Sequence, residues 1–336
     1  MIVPRLKLHQ FLFISFAFLL FLVNLIVFQI TGQAFSSLDK TIQLIKPAPV
    51  PVGVRTAGQA QALDKLKKHE LVAGSSGLLN QTPAGGTATV SGLTTQAYLV
   101  TDLQSACPLL QYNQDKKLYP ASTVKLMTAL VARETFHQEL VLMVQPGLFV
   151  EGHSVGFVEG EKISVSSLIK ALLINSGNDA AVILARHHPH GQAGFVKAMN
   201  QKAQDLGLNS TYFVNPSGLD HSAQQTTARD LTILAKEVLK DPFLASLVAT
   251  PKTKITDLSG LLSHELFNTN QLLIERTDVF GLKTGTTELA GQVLITLVER
   301  DGHQVLIVVM GSEDRYADTT RLIDQTFSEY QWQEIN

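Results

Sequence analysis

Ser122 and Lys125 stand three residues apart in "YPASTVKLMTAL", residues 119–130. Leu126, Met127, Leu130 and Val131 recur at helical spacing, with Ala129 and Ala132 between them. A helix that begins just behind Pro120 puts Lys125 in its first turn, on the same face as Ser122. Two readings fit these residues. Either Ser122 caps the helix and Lys125 reaches out to water, or Ser122 is a nucleophile and Lys125 takes its proton. The spacing alone does not decide. Ser-x-x-Lys also occurs at Ser37/Lys40 and Ser167/Lys170, and average residue usage gives about one such pair by chance. Ser37 lies where no pocket is expected, and Ser167 lies inside a second helix, where it reads as structural.

Two further short motifs come after Ser122 in order. Ser176-Gly177-Asn178 is the only Ser-x-Asn in the chain, and Lys283-Thr284-Gly285, followed by Thr286, is the only Lys-Thr-Gly. A given Lys-Thr-Gly is expected roughly 0.1 times in a chain of this length. Taken singly, the first reads as a helix cap and the second as a strand ending in a glycine turn. In sequence with Ser122 and Lys125 they form a set. Other polar residues look structural. Asp179 favours the N-terminus of its helix, and Asp230 caps the helix that follows "TTARD". "HHPH", His187 to His190, reads as a surface turn rather than a metal site. Cys107 reads as a small buried filler.

The elements that must hold these residues can be traced along the chain. "QAYLVTDL" (96–103) and "LLQYN" read as two strands, followed by the Ser122 helix. "ISVSSLIKALLIN" (163–175) and "SGNDAAVILARHH" (176–188) read as two further helices. "AGFVKAMNQKAQDLGL" is an amphipathic helix stopped by Gly207, and "TTARDLTILAKEVLKDP" ends before Pro242. The period then changes. "DVFGLKTGTT", "GQVLITLVE" and "HQVLIVVMG" are strand-like runs, the last two joined by Asp301-Gly302, a strong hairpin signal. Their apolar residues on both faces call for cover on both sides of a sheet. A last helix over 316–331 places Leu322, Ile323, Phe327 and Tyr330 on one side. Strands at both ends and helices between predict an α+β fold, one antiparallel sheet with a helical insertion.

The chain has 336 residues, 45% hydrophobic and 17% charged, with a formal net charge of −2 and one cysteine. That balance gives no electrostatic case for nucleic-acid binding, and one cysteine excludes an intramolecular disulfide. Arg5 and Lys7 precede an uncharged apolar run over 11–28. Eighteen helical residues span about 27 Å, near the thickness of a bilayer core. Residues 1–34 are therefore expected to be a membrane anchor, or a signal peptide cut after Ala34. Both export the rest of the chain. Residues 35–92, rich in Pro, Gly and Ser, are expected to be a linker, leaving 93–336 as the catalytic domain.

From about residue 95 to 331 the chain resembles the serine D-Ala-D-Ala carboxypeptidases, the low-molecular-mass penicillin-binding proteins. "PASTVKLMTALV", "LLINSGNDAAVILA", "FVKAMNQKAQDLGLNSTYFVNPSGLD", "TTARDL" and "GLKTGTT" carry the likeness, and the ordered trio of motifs belongs to these enzymes and to class A β-lactamases. The resemblance implies an antiparallel sheet flanked by helices beside an all-helical subdomain, with the site in the cleft between. It implies that Ser122 forms an acyl-enzyme with the penultimate D-Ala of a peptidoglycan stem peptide. Lys125 is then the base, its pKa lowered by burial and by Lys283. Ser176 bridges Lys125 and the leaving amine, and Asn178 holds the substrate backbone by its side-chain amide. Ser122 and Thr286 supply oxyanion N–H groups, and Gly285 lets the substrate approach. Lys283, Thr284, Thr286 and Arg315 receive the free C-terminal carboxylate. No cofactor or metal is implied, and β-lactam antibiotics are implied as covalent inhibitors. The N-terminal segment is expected to replace the C-terminal membrane anchor of better-known members, holding the enzyme on the extracytoplasmic face. A β-lactamase needs a Glu-x-x-Leu-Asn stretch, and "ELFNTN" (265–270) does not match it. An endopeptidase of the same family and a non-catalytic β-lactam sensor remain as alternatives.

Overall fold

The computed structural model describes residues 90–332, all within the compact unit Gln59–Asn336. The expected anchor, and the expected linker up to residue 89, lie outside them. Two strands, β1 (Ala97–Asp102) and β2 (Pro108–Tyr112), open the described chain. A 3-10 turn over Ala121–Thr123 leads into α1 (Val124–Thr135). Next come β3 (Val141–Met143), β4 (Lys162–Ser164), α2 (Val165–Leu173), α3 (Asn178–Arg186) and α4 (Gly191–Asp205). They are followed by α5 (Ala228–Lys240), α6 (Pro242–Val248), β5 (Lys252–Thr256), β6 (Ser263–Phe267) and α7 (Gln271–Glu275). The chain closes with β7 (Val279–Thr287), β8 (Gly291–Arg300), β9 (His303–Ser312) and α8 (Arg315–Glu329).

The five long strands form one sheet in the order β2-β1-β9-β8-β7. Every pairing is antiparallel, and β1 lies against β9 with Tyr98 opposite Val309. The two ends of the chain therefore build the sheet, as the strand runs predicted. Strand period then divides the core. Leu306, Val308 and Met310 of β9 face the larger cluster with α1 to α6, while Val305, Ile307 and Val309 face Leu322 and Ile323 of α8. Asp301 and Gly302 make the β8–β9 turn with φ of 51° and 82°, the two left-handed positions that this dipeptide favours.

Helix starts reflect local side-chain chemistry. Ser164 caps α2 through the N–H of Ser167, and Thr227 caps α5 through that of Asp230. Pro242 sits at the start of α6, where its missing N–H costs nothing, behind the cap Asp241. α1 differs, because its N-cap is Thr123 and no side chain caps it. Two small ribbons, β3–β4 and β5–β6, accompany the helices and had no strand signal strong enough to read. Each strand of β5–β6 buries one residue of its pattern, Ile255 and Leu266. Cys107 is half-buried in the β1–β2 turn and not a core filler. It sits where the turn closes, its carbonyl accepting from the N–H of Asp102 at 3.0 Å.

Candidate active site

Ser122 lies in the 3-10 turn, one residue after Ala121, which holds a left-handed φ of 48°. Two glycines make that turn possible. A Cβ on Gly218, itself at φ +88°, would stand 2.0 Å from the carbonyl oxygen of Ala121. A Cβ on Gly285 would stand 2.8 Å from the backbone nitrogen of Ser122. β7 and the loop at 215–220 therefore approach the nucleophile turn backbone to backbone.

The Ser122 hydroxyl is not used as a cap. Lys125, fully buried, places Nζ 2.8 Å from Ser122 Oγ and donates to the carbonyl of Ser217 at 2.6 Å. Burial, then the nearby Lys283 charge, pushes the Lys125 pKa well below the ordinary lysine value, while Asp179 pulls the other way. Snorkelling is excluded, since no part of this side chain reaches water. Asn215 shapes the turn that supplies the carbonyl. Its Oδ1 accepts from the N–H of Ser217 at 3.2 Å and of Gly218 at 2.8 Å.

Lys283 rises from the edge strand β7 and is also buried. Burial, followed by the Arg315 charge, lowers its pKa to about 7. Its Nζ donates to Ser176 Oγ at 2.7 Å and to the carbonyl of Thr284 at 3.1 Å. Ser176 thus meets Lys283, not Lys125, which corrects the expected bridge. Its left-handed backbone, φ 59°, turns the side chain toward β7. Asn178 has one half of its amide engaged. Its Nδ2 donates to the carbonyl of Glu151 at 2.6 Å, and its Oδ1 is buried without a partner among the described residues. The amide group left to meet a ligand is the acceptor.

Asp179 does more than favour a helix end. Its carboxylate accepts from the N–H groups of Val155, Gly156, Phe157 and Ala180 and from the Ser154 hydroxyl at 2.5 Å. That knot, together with the 2.8 Å bond from Asn178 N–H to the His153 carbonyl, holds segment 151–157 against the start of α3. Asp230, by contrast, ties α5 to Ser210 and Thr211. At the other side of the cleft Arg315 opens α8 and turns back onto β7. It donates to the Gly285 carbonyl at 2.7 Å and to Thr286 Oγ1 at 2.5 Å. Thr284 is buried and Thr286 exposed, two residues apart on one face of the strand.

The structure thus gathers Ser122, Lys125, Ser176, Lys283, Thr284, Gly285, Thr286 and Arg315 along one cleft edge, with Asn178 at the head of α3. Sequence reasoning missed Ser217, Asn215 and segment 151–157. Only the short stretch "NPSG" hinted at a tight turn there. The arrangement offers a serine next to a buried amine whose pKa is lowered, and beyond them a cationic and hydroxylic end suited to an anion.

A family model described as D-alanyl-D-alanine carboxypeptidase matches residues 85–314, and the chain belongs to that peptidase family. It is 33% identical over 232 residues to the D-alanyl-D-alanine carboxypeptidase DacF of Bacillus subtilis, covering 66% of this chain and 59% of that protein. A D-alanyl-D-alanine endopeptidase of Pseudomonas aeruginosa is 32% identical over 248 residues, covering 71% of this chain and 79% of that protein. The crystal structure of penicillin-binding protein D2 from Listeria monocytogenes, in its ampicillin-bound form, superposes with a TM-score of 0.62 at 30% identity. It covers 70% of this chain and 99% of that one. Three of the carboxypeptidases that the chain matches are longer, so that it spans 59%, 61% and 63% of their lengths.

Proposed function

We propose that this chain is a serine DD-carboxypeptidase that removes the terminal D-Ala from peptidoglycan stem peptides. Uncharged Lys125 takes the hydroxyl proton of Ser122 as Oγ bonds to the carbonyl carbon of the penultimate D-Ala. The oxyanion lies against the N–H groups of Ser122 and Thr286, each such donor contributing about 10²–10³ in rate. The bond to the terminal D-Ala nitrogen then breaks. Ser176 accepts a hydrogen bond from Lys283 and so keeps its own hydrogen to give. It passes that proton to the leaving amine and regains one from Lys283, and exchange with water moves the proton held by Lys125 to Lys283 as D-Ala leaves. Water adds to the ester, Lys125 again takes a proton, and Ser122 is freed. Asn178 holds the substrate backbone through Oδ1, and Lys283, Thr284, Thr286 and Arg315 receive its C-terminal carboxylate. β-Lactams enter the same path and leave an acyl group on Ser122.

The observation that carries this reading is Lys125 Nζ, buried and held well below its ordinary pKa, 2.8 Å from Ser122 Oγ. The apolar run at 11–28 would anchor the chain, and the Pro- and Gly-rich stretch would let the enzyme work outside the membrane on the wall. A second reading, an endopeptidase, is favoured by the Pseudomonas aeruginosa relative, of which this chain spans more than it does of DacF. The test is a peptide ending in Lys-D-Ala-D-Ala beside a D-Ala cross-linked dimer. Release of free D-Ala by wild type and none by Ser122→Ala supports the carboxypeptidase. Cleavage of the dimer alone moves the assignment to the endopeptidase.

A further inference from the structure

Thr284 has a neighbour that belongs to none of the three motifs. Its Oγ1 lies 2.5 Å from Oγ1 of Thr269, and either hydroxyl can give the hydrogen. The backbone of Thr269 is fixed from both flanks. Asn268 donates to the Thr250 carbonyl at 3.0 Å and accepts from the N–H of Asn270 at 2.9 Å. Asn270 caps α7 through the N–H of Leu272, and the Tyr316 hydroxyl donates to the carbonyl of Thr269 at 2.9 Å. This clamping aims one side chain at Thr284, and a valine of the same shape would fill that space without a hydroxyl.

We infer that Thr269 is a positioning residue for carboxylate recognition: its hydroxyl donates to Thr284 Oγ1, which turns the Thr284 hydrogen into the cleft. The inference rests on the reading of the cleft as a site for a free C-terminal carboxylate. A hydroxyl has one hydrogen to give and two lone pairs to receive. If Thr284 gave its hydrogen to Thr269, it would present lone pairs to an anion and repel it. With Thr269 as donor, the Thr284 hydrogen is left for the carboxylate. Thr286 is set in the same sense, since its Oγ1 accepts from Arg315. The two threonines flanking Gly285 then both offer hydrogens, one oriented by a cation and the other by Thr269. Charged hydrogen bonds of this type are among the stronger ones, so losing their orientation has a measurable effect on binding.

The experiment compares a peptide ending in Lys-D-Ala-D-Ala with the same peptide amidated at its C-terminus. Thr269→Val is expected to lower kcat/KM about tenfold on the acid, through KM, and less than about twofold on the amide. Thr269→Ser is expected to restore wild-type values on both. In a Thr284→Val background Thr269→Val is expected to add nothing, because the two act through one hydrogen bond. An equal loss on acid and amide marks a packing role and overturns the inference, as does an unchanged rate on the acid. Wild-type release that Ser122→Ala abolishes keeps the proposed activity standing whatever Thr269 does. Should wild type release no D-Ala, the proposed activity fails, and the same comparison is read from acylation by benzylpenicillin and its methyl ester.

Discussion

In the proposed mechanism Lys125 is the base because of where its hydrogens go. An uncharged amine has two hydrogens and one lone pair. The Ser217 carbonyl takes one hydrogen at 2.6 Å, which fixes the nitrogen and leaves the lone pair to meet the Ser122 hydroxyl at 2.8 Å. The base works only when deprotonated, and its pKa is held well below 10.5 by burial and by Lys283. Acylation by a penicillin is therefore expected to rise with pH and to level off well below the ordinary lysine range. Stopped-flow rates from pH 5 to 9 check this, and Lys125→Ala is expected to lose about 10²–10⁴ in rate and the rising limb with it. A limb that climbs only near pH 10 contradicts an uncharged Lys125. Ser122 and Lys125 were legible in the sequence because one helical turn joins them and Ser176–Asn178 and Lys283–Gly285 follow in order. The partner of Ser176 was not. Residue types place two lysines near a serine, but only the fold decides that Lys283, 107 positions away, is the one in reach.

Helices and strands were read where their pattern is long. β7 to β9 each bury most of their residues, and α5 and α8 show clear faces. β5 and β6 were missed because exposed residues flank a single inward one in each. The loops that finish the cleft were missed for another reason: their order comes from side chains bonding to backbone, at long range for Asp179 to 155–157 and within the turn for Asn215. The turn at Gly218 offers a sharp test. An added methyl group meets the Ala121 carbonyl at 2.0 Å and forces a left-handed residue other than glycine. Gly218→Ala is expected to lower kcat/KM at least tenfold and to cost about 1–3 kcal/mol of stability, read by D-Ala release and thermal melting. Unchanged activity would show that the Ser122 turn does not depend on this contact.

The whole molecule keeps two buried amines at the junction of sheet and helices, and this has a consequence for its stability. In the unfolded chain Lys283 titrates near 10.5, and in the folded one near 7. Between these values the unfolded state binds more protons, so stability is expected to rise with pH from about 7 toward 10.5. Lys283→Met, which fills the space without a charge, is expected to flatten that rise in denaturant midpoints taken from pH 6 to 10. A rise of the same slope in this variant contradicts the burial of Lys283 as its source. The sheet shared by both ends of the chain was predictable from the runs at 96–112 and 279–312, since apolar residues on both faces require cover on both sides. On the proposed function this architecture serves one event, the acylation of Ser122 with Lys125 as its base. The measurement that tests it most directly is intact-mass analysis and peptide mapping after exposure to benzylpenicillin. One adduct on the peptide that contains Ser122, absent from Ser122→Ala and nearly absent from Lys125→Ala at equal time, is the predicted result. An adduct that persists in Ser122→Ala, or maps to another peptide, contradicts it.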